Sequence, residues 1–200
     1  MLHENPMPVP NIRRASDPTT VYVNLTDLTR DKRSTYLTED VVVAASTIRV
    51  QSIAGFESVS TSSGQVLCIG EIGGERTELV RTANASASGY PTNSYKEITL
   101  RDTLAYDHPQ DTKITIVDWN RVQVRWAQTV NGTLATVTAY PLPIDPGALE
   151  MQYVDTSATA GYFFARWNET VADRSSANSD PVPYLGYDDN TVAEIKRRAV

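Results

Sequence analysis

The sequence predicts an all-β protein of two small modules, with an extended N-terminal arm before them and a short C-terminal helix after them. Apolar residues recur at every second position in short runs, and Ser, Thr, Asn, Asp, Gly and Pro fill the breaks between the runs. A chain of 200 residues has room for two such modules, because one β-sandwich needs about 100 residues. The predicted segments are an arm at 1–17, a β-barrel-like or sandwich module at 18–118, a sandwich module at 119–186 and a helix at 187–200.

Three prolines define the N-terminal arm. Pro6, Pro8 and Pro10 stand at alternate positions, where they prevent helix formation and remove backbone donors. The arm is therefore expected to be extended. Composition leaves two interpretations open: a loose chain end, or an arm that lies across a neighbouring subunit.

Short apolar runs predict the strands of the first module, and the polar breaks between them predict its loops. The runs cover residues 21–25, 41–43, 48–50, 66–69, 79–80, 98–100 and 114–116, and residues 27–32 allow one helical turn. The shortness of the runs is typical of a small barrel or sandwich.

A glycine-rich break at 70–74, GEIGG, separates the apolar run at 66–69 from a charged return segment. A phosphate-binding loop needs the spacing G-x-x-x-x-G-K-S/T and a following helix, and the lysine is missing here. Glu71 and Glu75 would also repel a phosphate. We therefore interpret the break as the turn of a β-hairpin whose glycines supply positive φ angles.

The second module begins with a strictly alternating run at 121–126, which specifies its register because a slip by one residue would bury three polar side chains. The inward positions are Val122, Val124 and Trp126, and the outward positions are Arg121, Gln123 and Arg125. Asn131-Gly132 predicts a hairpin turn. The proline-rich segment 141–150 is expected to cross from one sheet to the other, and 161–169 to form an aromatic strand.

The C-terminal segment has the only strong helix signals in the chain. Thr191 and Glu194 have the spacing of a capping box. Asp188 and Asp189 suit the positive end of the helix dipole, and the basic residues at 196–198 suit the negative end. A helix of this length is marginal alone in water, so it is expected to dock on its own domain or on a partner.

Candidate chemical groups are few. The single cysteine, Cys68, lies in the apolar run at 66–69, where a buried structural thiol is expected, and it excludes an intramolecular disulfide. His108 lies in a loop with three aspartates, which are Asp102, Asp107 and Asp111. The only other histidine is His3, so a transition-metal site lacks ligands, and we interpret His108 as a loop residue without a chemical role.

Three glutamates near the hairpin, Glu71, Glu75 and Glu78, lack the alternating Asp/Asn ligands of a calcium loop. We interpret them as a solvated acidic edge, which also discourages wrong strand pairing. The sequence thus predicts no catalytic, cofactor-binding or metal-ligating residue and no cofactor, and the protein is not expected to be an enzyme. An enzyme would need an organised polar pocket around His108.

Charge and hydropathy restrict the partners. The net charge is −6 and the 18 basic residues are mostly scattered, so direct binding of nucleic acid is not expected. No apolar stretch approaches the roughly 18 residues of a membrane span, and no secretory leader pattern is visible, so no membrane partner is expected.

Part of the second module resembles a fibronectin type III sandwich. The resemblance is carried by a strand ending in Trp126, an aromatic strand from Tyr162 to position 168, and the Ser-Asp-Pro run at 179–181. It implies that Trp126 is the core anchor and that Tyr162 is a corner tyrosine whose hydroxyl bonds back to a loop.

The whole arrangement resembles virion structural proteins of tailed bacteriophages. The segments that carry this resemblance are TEDVVVAASTIRVQSIAGF (38–56), GQVLCIGEIGGERTELV (64–80), ITLRDTLAYDHPQDTKITIVDWN (98–120) and the closing SDPVPYLGYDDNTVAEIKRRA. It implies a non-enzymatic neck, collar, connector or tail protein that forms a symmetric ring through its termini. Its expected partners are other virion proteins and copies of itself, and its expected location is the virion, assembled in the host cytoplasm.

The alternative is a carbohydrate- or receptor-binding sandwich on a virion, or a capsid decoration protein. Exposed aromatic side chains could stack on sugars, and the candidates are Tyr140, Tyr153, Phe163 and Trp167. Trp167 is the first to test, because it lies in the same predicted strand as Tyr162 but on the opposite face.

Overall fold

The structure, a computed structural model, describes residues 9–15, 20–56, 64–83, 96–137, 141–154, 160–171 and 173–184. These residues form strands and one 3-10 turn at Thr26–Leu28, and no α-helix occurs among them, so the predicted all-β class is confirmed. The strands are β1 (Asn11–Arg14), β2 (Thr20–Asn24), β3 (Ser34–Tyr36), β4 (Thr47–Arg49), β5 (Val66–Ile69), β6 (Glu78–Arg81), β7 (Glu97–Thr99), β8 (Lys113–Val117), β9 (Arg121–Ala127), β10 (Ala135–Thr136), β11 (Leu142–Pro143), β12 (Glu150–Val154), β13 (Gly161–Glu169), β14 (Arg174–Ser175) and β15 (Val182–Tyr184). The predicted helix at 187–200 lies outside the described residues.

One module is a sandwich of two antiparallel sheets. The first sheet has the order β1-β2-β12. In the second, β9 and β13 pair along seven residues, with β10 and β11 at the outer edge of β9 and β14 and β15 at the outer edge of β13. Trp167, Phe163 and Val23 are almost fully buried between the sheets.

The first two strands of the chain complete this sandwich. β2, which we expected to open the first module, pairs with β12, so that Val23 lies opposite Met151 and Val21 opposite Tyr153. The alternating pattern of β2 predicts a strand but does not specify which strand it pairs with, because the same pattern fits any sheet that has one buried face. The barrel module is therefore inserted between the second and third strands of the sandwich.

Part of the expected arm also belongs to the sandwich. β1 pairs with β2 of its own chain, with Ile12 opposite Val23. The Arg13 guanidinium lies 4.3 Å from the centre of the Tyr22 ring and forms an exposed ion pair with Glu150. The hydrogen bond from Arg13 lowers the pKa of the Glu150 carboxyl. Residues 1–8 and 16–19 lie outside the described ranges.

The inserted module is a small barrel. β3-β8-β5-β6 form a four-stranded sheet, and β4 pairs with β7. Single bridges at the strand ends, Leu37 to Val50 and Thr82 to Leu100, join the two-stranded sheet to both edges of the larger one. The interior is apolar, and it is filled by Leu37, Val41, Ile48, Val50, Phe56, Leu67, Ile69, Val80, Ile98, Leu100, Leu104 and Ile114. The strand predicted at 41–43 is instead a loop with Val42 and Val43 exposed, because only Val41 makes a bridge.

The two modules share apolar and ionic contacts. Leu79 and Ile72 of the barrel pack against the sandwich cluster around Trp119 and also against Cys68 on the outside of the barrel wall. Nearby, Arg81 of β6 forms an ion pair with Glu169 of β13, and both side chains are almost completely buried. A buried pair of this kind ties one module to the other at a defined position.

Replacing Arg81 with Met is expected to lower the free energy of unfolding by about 3–5 kcal/mol, because the buried Glu169 carboxylate would lose its ion pair with Arg81. Urea denaturation measures this loss. Replacing Glu169 with Leu in the same chain should recover much of it, since neither charge of the pair is then buried. Arg49→Met is the matched control: its ion pairs with Glu39 and Glu97 are exposed, so its loss should stay below about 1 kcal/mol. Equal losses for Arg81→Met and Arg49→Met would contradict the role of the buried pair.

Candidate functional site: the tip of the barrel

The candidate site is formed by two loops at one end of the barrel, residues 38–46 and 101–112, which we call the tip. Val41 and His108 exchange two backbone hydrogen bonds of 2.8 Å, which join the loops as in an antiparallel ladder. Two further backbone bonds, from Ala44 to Leu104 and from Leu104 to Ala45, lie beside them. Because Val41 and Leu104 are buried in the barrel core, the loops are anchored from below as well as to each other.

Carboxylates of the tip hold its backbone. The Asp107 Oδ1 accepts a hydrogen bond of 2.6 Å from the Val43 N–H, and the Asp40 Oδ1 accepts one of 2.7 Å from the Gln110 N–H. Each bond runs from one loop to the other. Each loop thus supplies one carboxylate that accepts a hydrogen bond from the backbone of the other loop. Aspartate suits this role because its short side chain readily caps nearby backbone donors.

A buried glutamate supports the tip from the barrel wall. Glu78 accepts hydrogen bonds from the backbone N–H groups of Ala105 and Tyr106, and its Oε1 lies 2.8 Å from the His108 Nε2. Glu78 and His108 are 8% and 3% exposed, so these bonds form where water does not compete. Burial of such a pair makes the conformation of 105–108 specific.

Backbone strain is also present in the tip. Ala44 has a φ of 67° and Asp111 a φ of 65°. Asp tolerates this left-handed region, whereas Ala does so at a cost of about 1 kcal/mol or more. The hydrogen bonds around Ala44 hold it there, and strain retained in an exposed loop is a frequent mark of a functional surface.

The exposed surface of the tip carries both apolar and acidic side chains. Val42, Val43 and Tyr106 are 66%, 52% and 42% exposed. The charged groups at the surface of the tip are Glu39, Asp40, Arg101, Asp102, Asp107 and Asp111, a net charge of −4 from five acidic residues and one basic residue. An ordered apolar surface with a charged rim has the composition of a protein-binding site.

His108 and the acidic residues near the hairpin can now be compared with the predictions. His108 is buried against Glu78 and does not contact the three loop aspartates through its ring. Glu71 and Glu75 are exposed, as predicted for a solvated edge. The same prediction is wrong for Glu78, because the return of the 101–112 loop over β6 covers this side chain. No signal in the sequence links Glu78 to His108, 30 positions away.

The predicted aromatic contact residue is part of the core. Trp167 is 0% exposed and packs with Trp119 and Val122, so it is a core residue, and the sugar contact that depended on its exposure does not apply to it. β13 is a central strand of its sheet, and its Trp167 face packs against the other sheet of the sandwich. Tyr153 and Phe163 form an edge-to-face pair with ring centres 5.9 Å apart. Tyr140 lies outside the described residues.

The other two residues of the fibronectin-like pattern are half-buried. Trp126 packs against the cluster of Val21, Val124 and Phe163, but Trp167 and Trp119 are the fully buried indoles. Gly161 lies so close to the Trp126 ring that an added Cβ would be 2.4 Å from Nε1. Trp126 is therefore a secondary anchor. The hydrogen bond expected of the Tyr162 hydroxyl is not among those of the described residues.

The glycine-rich break is the turn of the β5–β6 hairpin, as predicted. Gly70 and Gly73 have φ angles of 98° and 91°, and an added Cβ on Gly73 would lie 2.6 Å from Leu149. Beside the hairpin is a cavity of about 190 Å³, lined by Thr26, Thr29, Gly70, Glu71, Ile72, Lys113 and Thr115. It is smaller than the roughly 300–1,000 Å³ of typical ligand pockets.

Cys68 is completely buried, as predicted. Burial raises the pKa of the Cys68 thiol to about 12, and the positive charge of Lys113 opposes this only in part. The neutral thiol is therefore the stable form at every physiological pH.

Glu78→Gln is expected to lower the free energy of unfolding by about 1–3 kcal/mol, because the amide keeps only one acceptor oxygen for three donors. Hydrogen exchange at the Ala105 and Tyr106 amides should accelerate beyond this global effect. Glu75→Gln removes an equal charge from an exposed position and should change neither quantity. Unchanged exchange at Ala105 and Tyr106 in Glu78→Gln would show that Glu78 does not hold the tip.

Cys68 is expected to resist a thiol reagent such as DTNB at pH 8, since a pKa of about 12 leaves on the order of one thiolate in ten thousand. Absorbance of the released dye measures the rate in native protein and in urea. The native rate should be limited by unfolding, and the urea-unfolded chain should react completely. Rapid labelling of the native protein would contradict the burial of this thiol.

Comparison with known proteins finds no matching family model, no matching curated protein and no matching solved structure. Across the described ranges, no three His, Cys, Asp or Glu side chains are grouped so as to hold a metal ion. Within the same part of the chain, no helix has the length and apolar character needed to cross a membrane. The tip is therefore assigned as the candidate site on its own geometry.

Proposed function

We propose that this chain is a non-enzymatic structural component of a tailed-phage virion, of the neck, collar, connector or tail, which assembles with copies of itself and with other virion proteins into a symmetric ring. The observation that carries this proposal is the tip. Glu78 and the hydrogen bonds between the loops hold three apolar side chains, Val42, Val43 and Tyr106, in an exposed position. Exposing these side chains to water costs free energy that burial would recover. A rigid, exposed apolar surface suits permanent contact with another protein.

The connection of the two modules supports the same role. Arg81 and Glu169 join the barrel to the sandwich through a buried ion pair, and apolar contacts of Leu79 and Ile72 lie alongside. A building block of a ring must keep the angle between its contact surfaces constant, because small errors accumulate around the ring. Two locked modules meet that requirement better than two modules on a flexible linker.

A receptor- or carbohydrate-binding role is the second candidate, and Tyr106 is the observation that favours it. This side chain is 42% exposed at the centre of the tip and could stack on a sugar. Trp167, the residue first expected in that role, is buried. The other exposed apolar residues of the tip, Val42 and Val43, are aliphatic and offer no ring for stacking on a sugar.

The proposal is tested by particle composition. Virions purified on a density gradient from the phage that encodes this chain should contain it at a fixed number of copies per particle by quantitative mass spectrometry. Deletion of residues 1–8, the part of the expected arm that precedes β1, or of residues 188–200, the expected C-terminal tie, should abolish incorporation. Substitution of the exposed Arg76 by Ser should not. Absence of the chain from purified virions would overturn the proposal, and binding of glycans with loss on Tyr106→Ala would favour the second candidate.

A further inference from the structure

A second charged surface lies on the outer face of the sandwich. Residues opposite each other in the β9–β13 ladder share one face, and this places Arg121, Arg125 and Arg166 together with Gln123 and Phe164. All three arginines are half-buried, while Phe164 is only 7% exposed. We call this surface the arginine face. In the sequence analysis, Arg121, Gln123 and Arg125 were expected to face water, whereas Gln123 is in fact buried.

The positive charge of the arginine face is not neutralised within the described part of the chain. Neither β9 nor β13 carries a carboxylate on this face, and none of the three arginines takes part in an ion pair of the described residues. Burial and the neighbouring charge of Arg166 lower the pKa of the Arg125 guanidinium. The fold therefore holds three positive charges on one face despite their mutual repulsion, although the net charge of the protein is −6.

The guanidinium groups keep free hydrogen-bonding capacity. Arg121 donates to the Pro141 carbonyl, Arg125 to the Leu134 carbonyl and Arg166 to the Gln123 side chain. Each guanidinium has five N–H donors, so each has more donors than these hydrogen bonds use. The Arg125 Nε is buried without a partner among the described residues. Carboxylates match this donor geometry best, because they accept two parallel hydrogen bonds from one guanidinium.

The tip has the complementary charge. Asp40, Asp102, Asp107 and Asp111 have no cationic partner among the described ion pairs, and the tip as a whole carries a net charge of −4. Tyr106 at its centre offers a ring on which a guanidinium can stack. The tip and the arginine face lie on different modules, so one chain carries both halves of a matching pair of surfaces.

We propose that the tip of one copy of this chain docks on the arginine face of another copy. The inference rests on the proposed structural function and names the self-contact that a ring would use in addition to the termini. Two different surfaces meet in such a contact, so it repeats head to tail and produces a closed ring or an open row of subunits. The charges of the two surfaces are partly exposed, so salt screens the attraction between them. The Debye length is about 8 Å at physiological ionic strength, and the association is expected to weaken as salt is added.

A charge-exchange experiment tests the contact in the full-length chain. Arg166→Glu reverses a charge of the arginine face, and Asp102→Arg reverses an exposed charge of the tip that makes no hydrogen bond among those of the described residues. Arg76→Glu and Glu75→Arg are matched controls, since both residues are exposed on the hairpin outside the two surfaces. Circular dichroism establishes that each variant is folded, and sedimentation velocity at low and high salt measures self-association.

The wild-type chain should self-associate at low salt, and either surface variant alone should weaken this by about tenfold or more. A mixture of Arg166→Glu with Asp102→Arg should form heterodimers, because the unaltered tip of the first variant can dock on the unaltered arginine face of the second. Both controls should behave as wild type. A wild-type chain that stays monomeric at low salt, a mixture that does not associate, or controls that weaken association equally would overturn the inference.

The virion role and the docking contact can be tested separately. Phages carrying Arg166→Glu or Asp102→Arg should incorporate less of the chain than phages carrying Arg76→Glu. Normal incorporation of both surface variants would overturn the docking contact and leave the virion role intact. Absence of the wild-type chain from virions would overturn the virion role, whereas self-association of the purified chain would still be measurable.

Discussion

The antiparallel pairing of β2 with β12 is the constraint on which the rest of the structure depends. It builds the N-terminal strands into the sandwich, so the chain between β2 and β9 must leave that module and return to it. A barrel satisfies this requirement simply, because its first and last strands, β3 and β8, are hydrogen-bonded neighbours. The barrel therefore begins and ends at adjacent points, and the sandwich keeps its strand order despite the insertion.

Two buried polar pairs then define positions that apolar packing alone would leave adjustable. Arg81 and Glu169 set the barrel against the sandwich, and Glu78 with His108 sets the tip against the barrel wall. Apolar contacts supply most of the stabilisation but tolerate small shifts in position. A buried charge or donor that loses its partner lowers the free energy of unfolding even when the shift is small. In this protein one pair joins the two modules, and the other joins a loop of the tip to the barrel wall.

Charge is segregated along the molecule in a way that the net value of −6 hides. The tip collects carboxylates around exposed valines, and the outer face of the sandwich collects arginines without carboxylates. The barrel carries the first surface and the sandwich the second, so the insertion of one module into the other also separates the two charges. That separation favours association between molecules over neutralisation within one molecule.

The sequence by itself determined the local structure. Alternating runs predicted strands such as β9 and β13, glycines predicted the hairpin at 70–74, and prolines predicted the crossing at 141–150, because each depends on dihedral preferences and on burial of one face. The tertiary structure alone decided which strands pair and which side chains are covered: β2 belongs with β12, Trp167 is core, and Glu78 meets His108. Period-two patterns carry no information about partners distant in sequence. The tip and the arginine face could not be predicted for the same reason, since each is assembled from segments that only folding brings together.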